Sequence, residues 1–152
     1  MERTERTNEE IAYLAGLFDG EGSVNIFKQP KRKDMTVPAY FIEISIGNTH
    51  KGVLQWVLEK FGGRLSHNAE QYTKRNHRTW RWRASSNDAY EVLVAMLPYL
   101  TVKKEQAKLA IEFRERQVAY NGRSSKHLTG EELEWRENQR VKLSTIRLWV
   151  EE

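Results

Sequence analysis

The sequence predicts an α+β domain in which a four-stranded antiparallel sheet packs against helices. Four short segments alternate apolar and polar residues with the period of two that is typical of half-buried strands. The segments between them open on residues that cap helices, which predicts the order helix-strand-strand-helix-strand-strand-helix, followed by extra C-terminal helices. With 152 residues the chain is long enough for one domain, which we expect to span 1–152, with a core at about 8–118 and a C-terminal helical extension at about 129–149.

The first helix is expected to run from Asn8, its N-cap, to about Gly20. One face is an apolar stripe with the i, i+3, i+4, i+7 spacing of a core-facing helix, made of Ile11, Leu14, Ala15 and Phe18. A second stripe on another side consists of Tyr13, Gly16, Leu17 and Gly20. A helix with two apolar faces must be buried on both, and small residues suit the close approach of another helix. Because the chain has one such segment, we expect the same helix of a second copy to be the partner, in a two-fold homodimer.

The four predicted strands each have an apolar face for the core. Segments 23–31 and 40–48 form the first two strands, the third follows the breaker Gly62-Gly63, and the fourth covers about 79–84. Their apolar face consists of Val24, Ile26, Ile42, Ile44, Ile46, Leu65, Trp80, Trp82 and Ala84. The opposite face carries hydrogen-bonding and basic side chains, which suit the reading of base edges in a major groove. The candidate DNA-binding residues on this side are Asn25, Phe27, Gln29, Lys31, Lys33, Glu43, Ser45, Arg64, Ser66, Asn68, Thr79, Arg81 and Arg83.

Capping and breaking residues predict the remaining helices. Thr49 is the expected cap of a second helix that ends near Phe61, and Ser86 or Asn87 opens a third that ends near Pro98. A fourth helix is expected at about 102–118, and the run "NGRSSKHLTG" after it is typical of a loop. Thr129 then opens the last helix, which is expected to reach about Trp149.

The net charge of +4 is unevenly distributed along the chain. It is −4 over residues 1–23, +8 over residues 24–85 and zero over residues 86–152. The basic block coincides with the four alternating strands, which favours a nucleic-acid-binding sheet over a merely solvated charged face. Trp80 and Trp82, which stand beside arginines in this block, are more typical of a core than of a base-stacking platform.

Several features narrow the class of protein. The absence of cysteine excludes disulfides and thiolate metal sites, and the four histidines have no metal-ligand spacing. No apolar run approaches the roughly 20 residues of a membrane span. The N-terminal "MERTERTNEE" is not typical of a targeting segment, and no Walker-type phosphate loop is present. We therefore expect a soluble intracellular protein with no membrane partner and no small-molecule cofactor, in a prokaryotic cytoplasm or an organelle that encodes it.

The nonapeptide "LAGLFDGEG" at residues 14–22 resembles the LAGLIDADG motif, with Phe18 in place of isoleucine and Gly20-Glu21 in place of alanine-aspartate. The predicted order of elements and the segment "LPYLTVKKEQA" at 97–107 are also similar to those of the LAGLIDADG homing endonucleases. The resemblance covers most of the chain to about residue 118. It implies the LAGLIDADG fold and the hydrolysis of both strands of DNA at a long, roughly palindromic site. It also implies Mg²⁺, or another divalent cation such as Mn²⁺, as cofactor, and a role in intron or intein homing.

The resemblance further implies roles for individual residues. Glu21 matches the acidic residue that binds the divalent metal, and the backbone carbonyl of Gly20 is the implied second metal contact. Asp19 is implied to have a structural role, in which it caps local backbone donors. The motif helix, with its stripe of small residues, is implied to form the dimer interface. The remaining catalytic residues are Lys103 near the scissile phosphate, and Asn48 and Lys51, which position water.

Two other functions stay open at this point. The first is a DNA- or RNA-binding protein on the same scaffold, such as an intron maturase or regulator, that does not cleave. Glu21 and Lys103 favour the enzyme, because a protein that only binds has no use for an acidic side chain facing phosphates. The second is an α+β module for protein interactions, which leaves the basic block unexplained.

Overall fold

In the computed structural model, the described residues are 5–31, 33, 37–67, 78–121 and 128–147. They form five α-helices and four strands in the predicted order, so that the architecture is α+β, as predicted. A short 3₁₀ helix, Leu97–Tyr99, lies between the third and fourth α-helices. The other elements are α1 (Asn8–Glu21), β1 (Gly22–Gln29), β2 (Ala39–Asn48), α2 (Lys51–Phe61), β3 (Arg64–His67), β4 (Trp80–Ser85), α3 (Ser86–Met96), α4 (Lys104–Asn121) and α5 (Gly130–Arg147).

The four strands form one antiparallel sheet in the order β1-β2-β4-β3. The register aligns the core-facing side chains across the sheet, since Ile44 lies opposite both Val24 and Ala84. Trp82 lies opposite Ile46 on one side and Leu65 on the other. Because side chains alternate along a strand, this register buries the whole apolar set on one face. The predicted apolar face is confirmed, with Leu65 and Trp80 only partly buried at its edge.

The helices supply the other half of the core. The predicted core stripe of α1 is confirmed, because Leu14, Ala15 and Phe18 are fully buried and Ile11 packs at the margin. Each large apolar side chain that is fully buried contributes on the order of 1.5–3 kcal/mol. The buried residues of the next three helices are Leu54, Val57 and Phe61 of α2, Ala89, Val92, Leu93 and Met96 of α3, and Ala107, Leu109, Ala110, Ile111 and Phe113 of α4.

The cap of α1 differs from the prediction by one residue. Thr7, not Asn8, is the N-cap, and its hydroxyl accepts a hydrogen bond from the Glu10 N–H at 3.1 Å. The Glu10 carboxylate in turn accepts one from the Thr7 N–H at 3.0 Å. This reciprocal capping box requires an acid or amide three residues after the cap, and Asn8 has Ile11 there.

The cap of α2 also lies one residue from the predicted position. His50, not Thr49, is the N-cap, because its imidazole Nδ1 accepts a hydrogen bond from the Val53 N–H at 3.0 Å. The predicted cap of the last helix is correct, since the Thr129 hydroxyl accepts a hydrogen bond from the Glu132 N–H at 3.1 Å. A histidine cap is an unusual choice, which is why the sequence favours the hydroxyl of Thr49.

The ends of α1, α3 and α4 lie one to three residues from their predicted positions, and α3 ends at Met96 rather than near Pro98. Helix α1 includes Glu21, and α4 covers Lys104–Asn121 rather than about 102–118. The predicted end of α5 at Trp149 lies outside the described residues. Within the described part of the chain, none of the helices combines the length and hydrophobicity needed to cross a membrane.

The C-terminal helix α5 packs against α4 and β1 and is held by polar contacts. Glu132 and Arg136, both 3% exposed, form an ion pair at 3.2 Å, and Glu132 also contacts Arg116 of α4 at 3.0 Å. The Tyr40 hydroxyl of β2 donates a hydrogen bond to the Glu137 carboxylate at 2.7 Å. Removing one partner of a buried ion pair typically costs about 3–5 kcal/mol. Helix α5 is therefore an integral part of the domain.

Candidate active site

The chain passes from α1 into β1 without a loop, and this junction places Glu21 at one end of the sheet. Glu21 is the last residue of α1 and is exposed, and Gly22 is the first residue of β1. A Cβ atom on Gly22 would lie 2.6 Å from the Phe18 carbonyl oxygen, so only glycine fits this close approach of strand to helix. The register brings the end of β2 and the start of β4 to the same end of the sheet, since Asn48 lies opposite Trp80.

Glu21 is linked to Asn48 by a hydrogen bond. The Asn48 amide Nδ2 donates to Glu21 Oε2 at 2.5 Å, and Asn48 Oδ1 accepts from the His50 N–H at 2.8 Å. The two bonds together specify the orientation of the Asn48 amide, because its two ends have opposite hydrogen-bonding character. The start of α2 thereby positions the side chain that contacts Glu21. The structure thus brings together two of the four predicted catalytic residues.

Asp19 ties the motif helix to the start of α4. Its two carboxylate oxygens accept hydrogen bonds from the backbone N–H groups of Thr101 and Lys103, both at 2.9 Å. Asp19 therefore accepts from backbone donors, as predicted, but the expectation that these donors are local is wrong, since they are 82 and 84 residues away. Lys103, which is half-buried, is held by its backbone beside the end of α1.

Lys51 has a partner that its sequence position did not indicate. Its Nζ lies 4.5 Å from the centre of the Trp80 ring, a cation–π contact. The His67 ring packs edge-on against the same Trp80, with the ring centres 5.1 Å apart. Trp80 thus joins the start of α2 to the ends of β3 and β4, and holds Lys51 at the end of the sheet that carries Glu21.

The polar face of the sheet presents three arginines, each held by a serine hydroxyl of another strand. Each contact joins a guanidinium Nη1 to a serine Oγ at 3.3 Å. The pairs are Arg81 with Ser45, Arg83 with Ser66, and Arg64 with Ser85. Because each pair bridges two strands, the guanidinium groups are positioned by the sheet register rather than by flexible loops.

The other candidate DNA-binding residues occupy different environments. Glu43 is only 8% exposed and lies beneath Arg64 and Arg83. Phe27 is 42% exposed and packs on Phe41, which forms an apolar patch on the polar face. The residues Lys31, Lys33 and Thr79 are exposed, Asn25 and Gln29 are half-exposed, and Asn68 lies outside the described residues.

The second stripe of α1 is open to solvent in the single chain. Tyr13 is 58% exposed, and Gly16 and Gly20 are exposed. Among the described residues, no atom lies within 4 Å of the position that a Cβ would occupy at either glycine. Leu17 is half-buried and packs at the margin of the core. One face of α1 is thus covered by the domain itself, and the face with the two glycines is accessible to a second molecule.

The oxygen donors at the end of α1 are of the type that Mg²⁺ prefers. The Glu21 carboxylate and the Gly20 carbonyl adjoin each other in the chain, and both residues are exposed. In the parts of the chain that the structure describes, no three acidic, histidine or cysteine side chains come together as a metal cluster. The donor types therefore fit a divalent cation.

Three residues contact the candidate site residues although the sequence does not indicate it. His50 has no catalytic motif around it, and its role follows from its N-cap position and from its backbone contact with Asn48. Trp80 is predicted to belong to the core, and it packs against the edge of the core but also contacts Lys51. Ser85 ends β4 and contacts Arg64, a pairing that follows only from the strand register.

Comparisons with known proteins give matches among solved structures but none from the two other searches. No family model matches the sequence, and no curated protein matches it. Among solved structures, the chain is similar to the homing endonuclease I-CvuI in complex with the I-CreI target, in which the DNA is not cleaved in the presence of Mg. The TM-score is 0.75 at 16% identity, over 95% of this chain and 85% of that chain.

Two further structures show the same likeness. The archaeal intron-encoded homing endonuclease I-Vdi141I, complexed with DNA, matches with a TM-score of 0.69 and 20% identity, over 91% of this chain and 84% of that chain. The LAGLIDADG homing endonuclease I-SmaMI, bound to cleaved DNA, matches with a TM-score of 0.71 and 15% identity, over 97% of this chain and 48% of that chain. These likenesses establish that the chain has the LAGLIDADG homing endonuclease fold.

Proposed function

We propose that this chain is a homodimeric LAGLIDADG homing endonuclease, which hydrolyses double-stranded DNA at a long, roughly palindromic site with a divalent cation. The observation that carries the proposal is the placement of Glu21. Its exposed carboxylate lies at one end of the arginine-bearing sheet. In the chain, Glu21 directly follows Gly20, which belongs to the accessible face of α1. Asn48 and the start of α4 both converge on this end of α1.

A second copy of the chain would complete the proposed metal site. Packing of two α1 helices through the face with Gly16 and Gly20 would bring two Glu21 carboxylates together on the two-fold axis. The coverage of I-SmaMI supports this assembly, because this chain matches about half of that longer chain. Two carboxylates, two Gly20 carbonyls and the phosphates of bound DNA would then complete a shell of oxygen ligands.

The side chains of the site have separate tasks in the proposed reaction. A bound Mg²⁺ would supply a nucleophilic water and stabilise the leaving oxygen, and Mn²⁺ can do the same. Glu21 would hold the cation, and Asn48 would orient Glu21 and the water between protein and phosphate. Lys103 would offset the charge that develops on the phosphate. Lys51, held over Trp80, would add positive charge on the other side.

The polar face of the sheet would position the DNA. Arginines pair bidentately with guanine edges in the major groove, which admits a β-ribbon. Arg64, Arg81 and Arg83 are already aligned across β3 and β4 for this purpose. Exposed lysines such as Lys31 and Lys33 would contact phosphates and set the salt dependence of binding without sequence preference.

The test is a selection for cut sites from a random DNA library, with Mg²⁺ for cleavage and with Ca²⁺ to score binding. We expect one palindromic site family in both selections. Glu21→Gln should reduce the cleavage rate of the selected site by roughly 100-fold or more while leaving binding in Ca²⁺ intact, since the amide keeps the shape and weakens the metal contact. Glu112→Gln, which changes an exposed acid on α4, is the matched control and should cut normally.

Two results would overturn the proposal. Cleavage by Glu21→Gln at the wild-type rate would exclude Glu21 as the metal ligand. Selection of a binding site that the wild-type chain never cuts would identify a non-cleaving DNA-binding protein on this scaffold, such as a maturase or regulator.

A further inference from the structure

Glu43 is an acid on the arginine-bearing face of the sheet. It lies on β2 and is flanked in the sheet by Asn25 of β1 and Ser85 of β4. It is 8% exposed, so the side chains around it cover the carboxylate. An acid at this position weakens the attraction of the sheet for phosphates, and its presence therefore calls for a compensating role.

Both carboxylate oxygens of Glu43 are engaged by the arginines above it. Oε2 accepts a hydrogen bond from Arg64 Nη2 at 3.1 Å and another from the Ser85 hydroxyl at 3.1 Å. Oε1 lies 3.5 Å from Nε of Arg83. Ser85 closes a triangle, because its Oγ also accepts from Arg64 Nη1 at 3.3 Å. Glu43, which lies on β2, thereby binds side chains of both β3 and β4.

These contacts leave part of each guanidinium available. Arg64 and Arg83 are 58% and 38% exposed, and they lie directly opposite each other in the β3–β4 register. Each guanidinium has five N–H donors, and Glu43 with the serines occupies only some of them. A long side chain that is held by one edge loses less conformational freedom when its other edge meets a base.

We infer that Glu43 is a positioning residue for sequence recognition, which holds Arg64 and Arg83 in the geometry that reads two neighbouring purines. This inference rests on the proposed function and names a device within its DNA-binding face. Glu43 contacts no base itself, since it is only 8% exposed and lies beneath the two arginines. It reduces the affinity for phosphates in general and raises the discrimination between sequences.

Arg81 provides an internal comparison on the same strand as Arg83. It is held by the Ser45 hydroxyl at 3.3 Å rather than by Glu43, so its reading of the DNA should be independent of that acid. Glu43 also lies away from the site of chemistry. Its partner Asn25 is three residues along β1 from Gly22, about 10 Å at the rise of a strand.

The test is binding selection from a random DNA library in Ca²⁺, which requires no cleavage. The reference profiles come from Arg64→Ala, Arg83→Ala and Arg81→Ala, which identify the base pairs that each arginine reads in both half-sites. Glu43→Gln is expected to reduce preference about five- to tenfold at the Arg64 and Arg83 positions, the lower end of what a bidentate contact gives. Preference at the Arg81 positions should not change, and binding to unrelated DNA should become tighter.

Ser85→Ala is the second variant, and it removes a small hydroxyl at the end of a strand. It should relax the Arg64 position alone, because Ser85 joins Arg64 to Glu43, whereas the serine that holds Arg83 is Ser66. The inference is overturned if Glu43→Gln keeps the wild-type preference at the Arg64 and Arg83 positions, or if it alters a position that neither arginine reads. A wild-type chain that selects no site would overturn the proposed function, and this inference with it.

Discussion

The Asp19 carboxylate holds the backbone at Lys103, the predicted basic residue of the candidate site. It accepts hydrogen bonds from two backbone N–H groups that precede α4, those of Thr101 and Lys103. Hydrogen bonds to a charged group contribute about 1.5–3 kcal/mol each, more than neutral ones. The motif helix and α4 are thus joined at the residue that stands two positions before Glu21.

Asp19→Asn should reduce both the stability of the domain and the rate of cleavage. An amide offers one acceptor oxygen, so one N–H loses its partner at a cost of about 1–3 kcal/mol. For a domain of this size that corresponds to a fall in Tm of roughly 2–4 °C per kcal/mol. We expect Asp19→Asn to lower both the Tm and the cleavage rate, measured by calorimetry and single-turnover cleavage.

Lys103→Met is the matched variant for Asp19→Asn. It leaves the backbone N–H in place, so the Tm should stay at the wild-type value while the cleavage rate falls. An unchanged Tm in Asp19→Asn would show that its two hydrogen bonds do not hold α4 in solution.

At the scale of elements, helix α5 is attached to the sheet by a contact that depends on pH. The Arg140 guanidinium, together with the Tyr40 hydroxyl, lowers the pKa of Glu137 to about 2 from its ordinary value of 4.5. Burial, reinforced by the hydrogen bond to Glu137, raises the pKa of Tyr40 from 10 to about 12. Each group is therefore stabilised in the protonation state that it has at neutral pH.

These two pKa shifts predict that the free energy of unfolding decreases at both low and high pH. The lowered pKa of Glu137 means that its contribution is present above about 4.5 and is lost as the pH falls towards about 2. The raised pKa of Tyr40 means that its contribution is present below about 10 and is lost as the pH rises through about 12.

Urea unfolding as a function of pH checks this prediction. Glu137→Gln should lower the free energy of unfolding at neutral pH and reduce its decline in acid, and Tyr40→Phe should reduce the decline in alkali. The control Glu134→Gln changes an exposed acid on the same helix and should keep the wild-type profile. Identical acid profiles for Glu137→Gln and the wild type would contradict the prediction.

At the scale of the whole molecule, one chain is half of the proposed enzyme. The accessible face of α1 has open space at Gly16 and Gly20, which permits two helix backbones to approach closely. Two-fold symmetry then gives every DNA contact twice, which is why we expect a roughly palindromic target.

Gly16→Leu tests the assembly directly. A leucine fits the single chain, where no described atom lies within 4 Å of the Cβ position, but it would prevent a close helix crossing. We expect the variant to fold, to sediment as a monomer and to lose cleavage. Gly130→Leu places the same side chain at another exposed glycine, on α5, and should remain a dimer that cuts. A wild-type chain that stays monomeric, both alone and on DNA, would exclude the proposed dimer.

The helices, the strands and the two faces of the sheet can be predicted from the residue pattern alone. Val24, Ile44 and Trp82 could be assigned to the core because side chains alternate along a strand, and the core stripe of α1 followed from helical spacing in the same way. Such patterns are local, since each depends on residues within a few positions of one another. The motif at residues 14–22 was likewise visible as a contiguous run.

The residue pattern does not show which side chains from distant parts of the chain contact each other. Asp19 lies 84 residues from Lys103, and Glu43 lies 21 residues from Arg64, so no spacing in the chain indicates either contact. The first contact depends on how the segment before α4 packs against the end of α1, and the second depends on the β2–β4–β3 register. The period of a strand or helix determines on which face a side chain lies. The packing of distant elements determines which residue it contacts there.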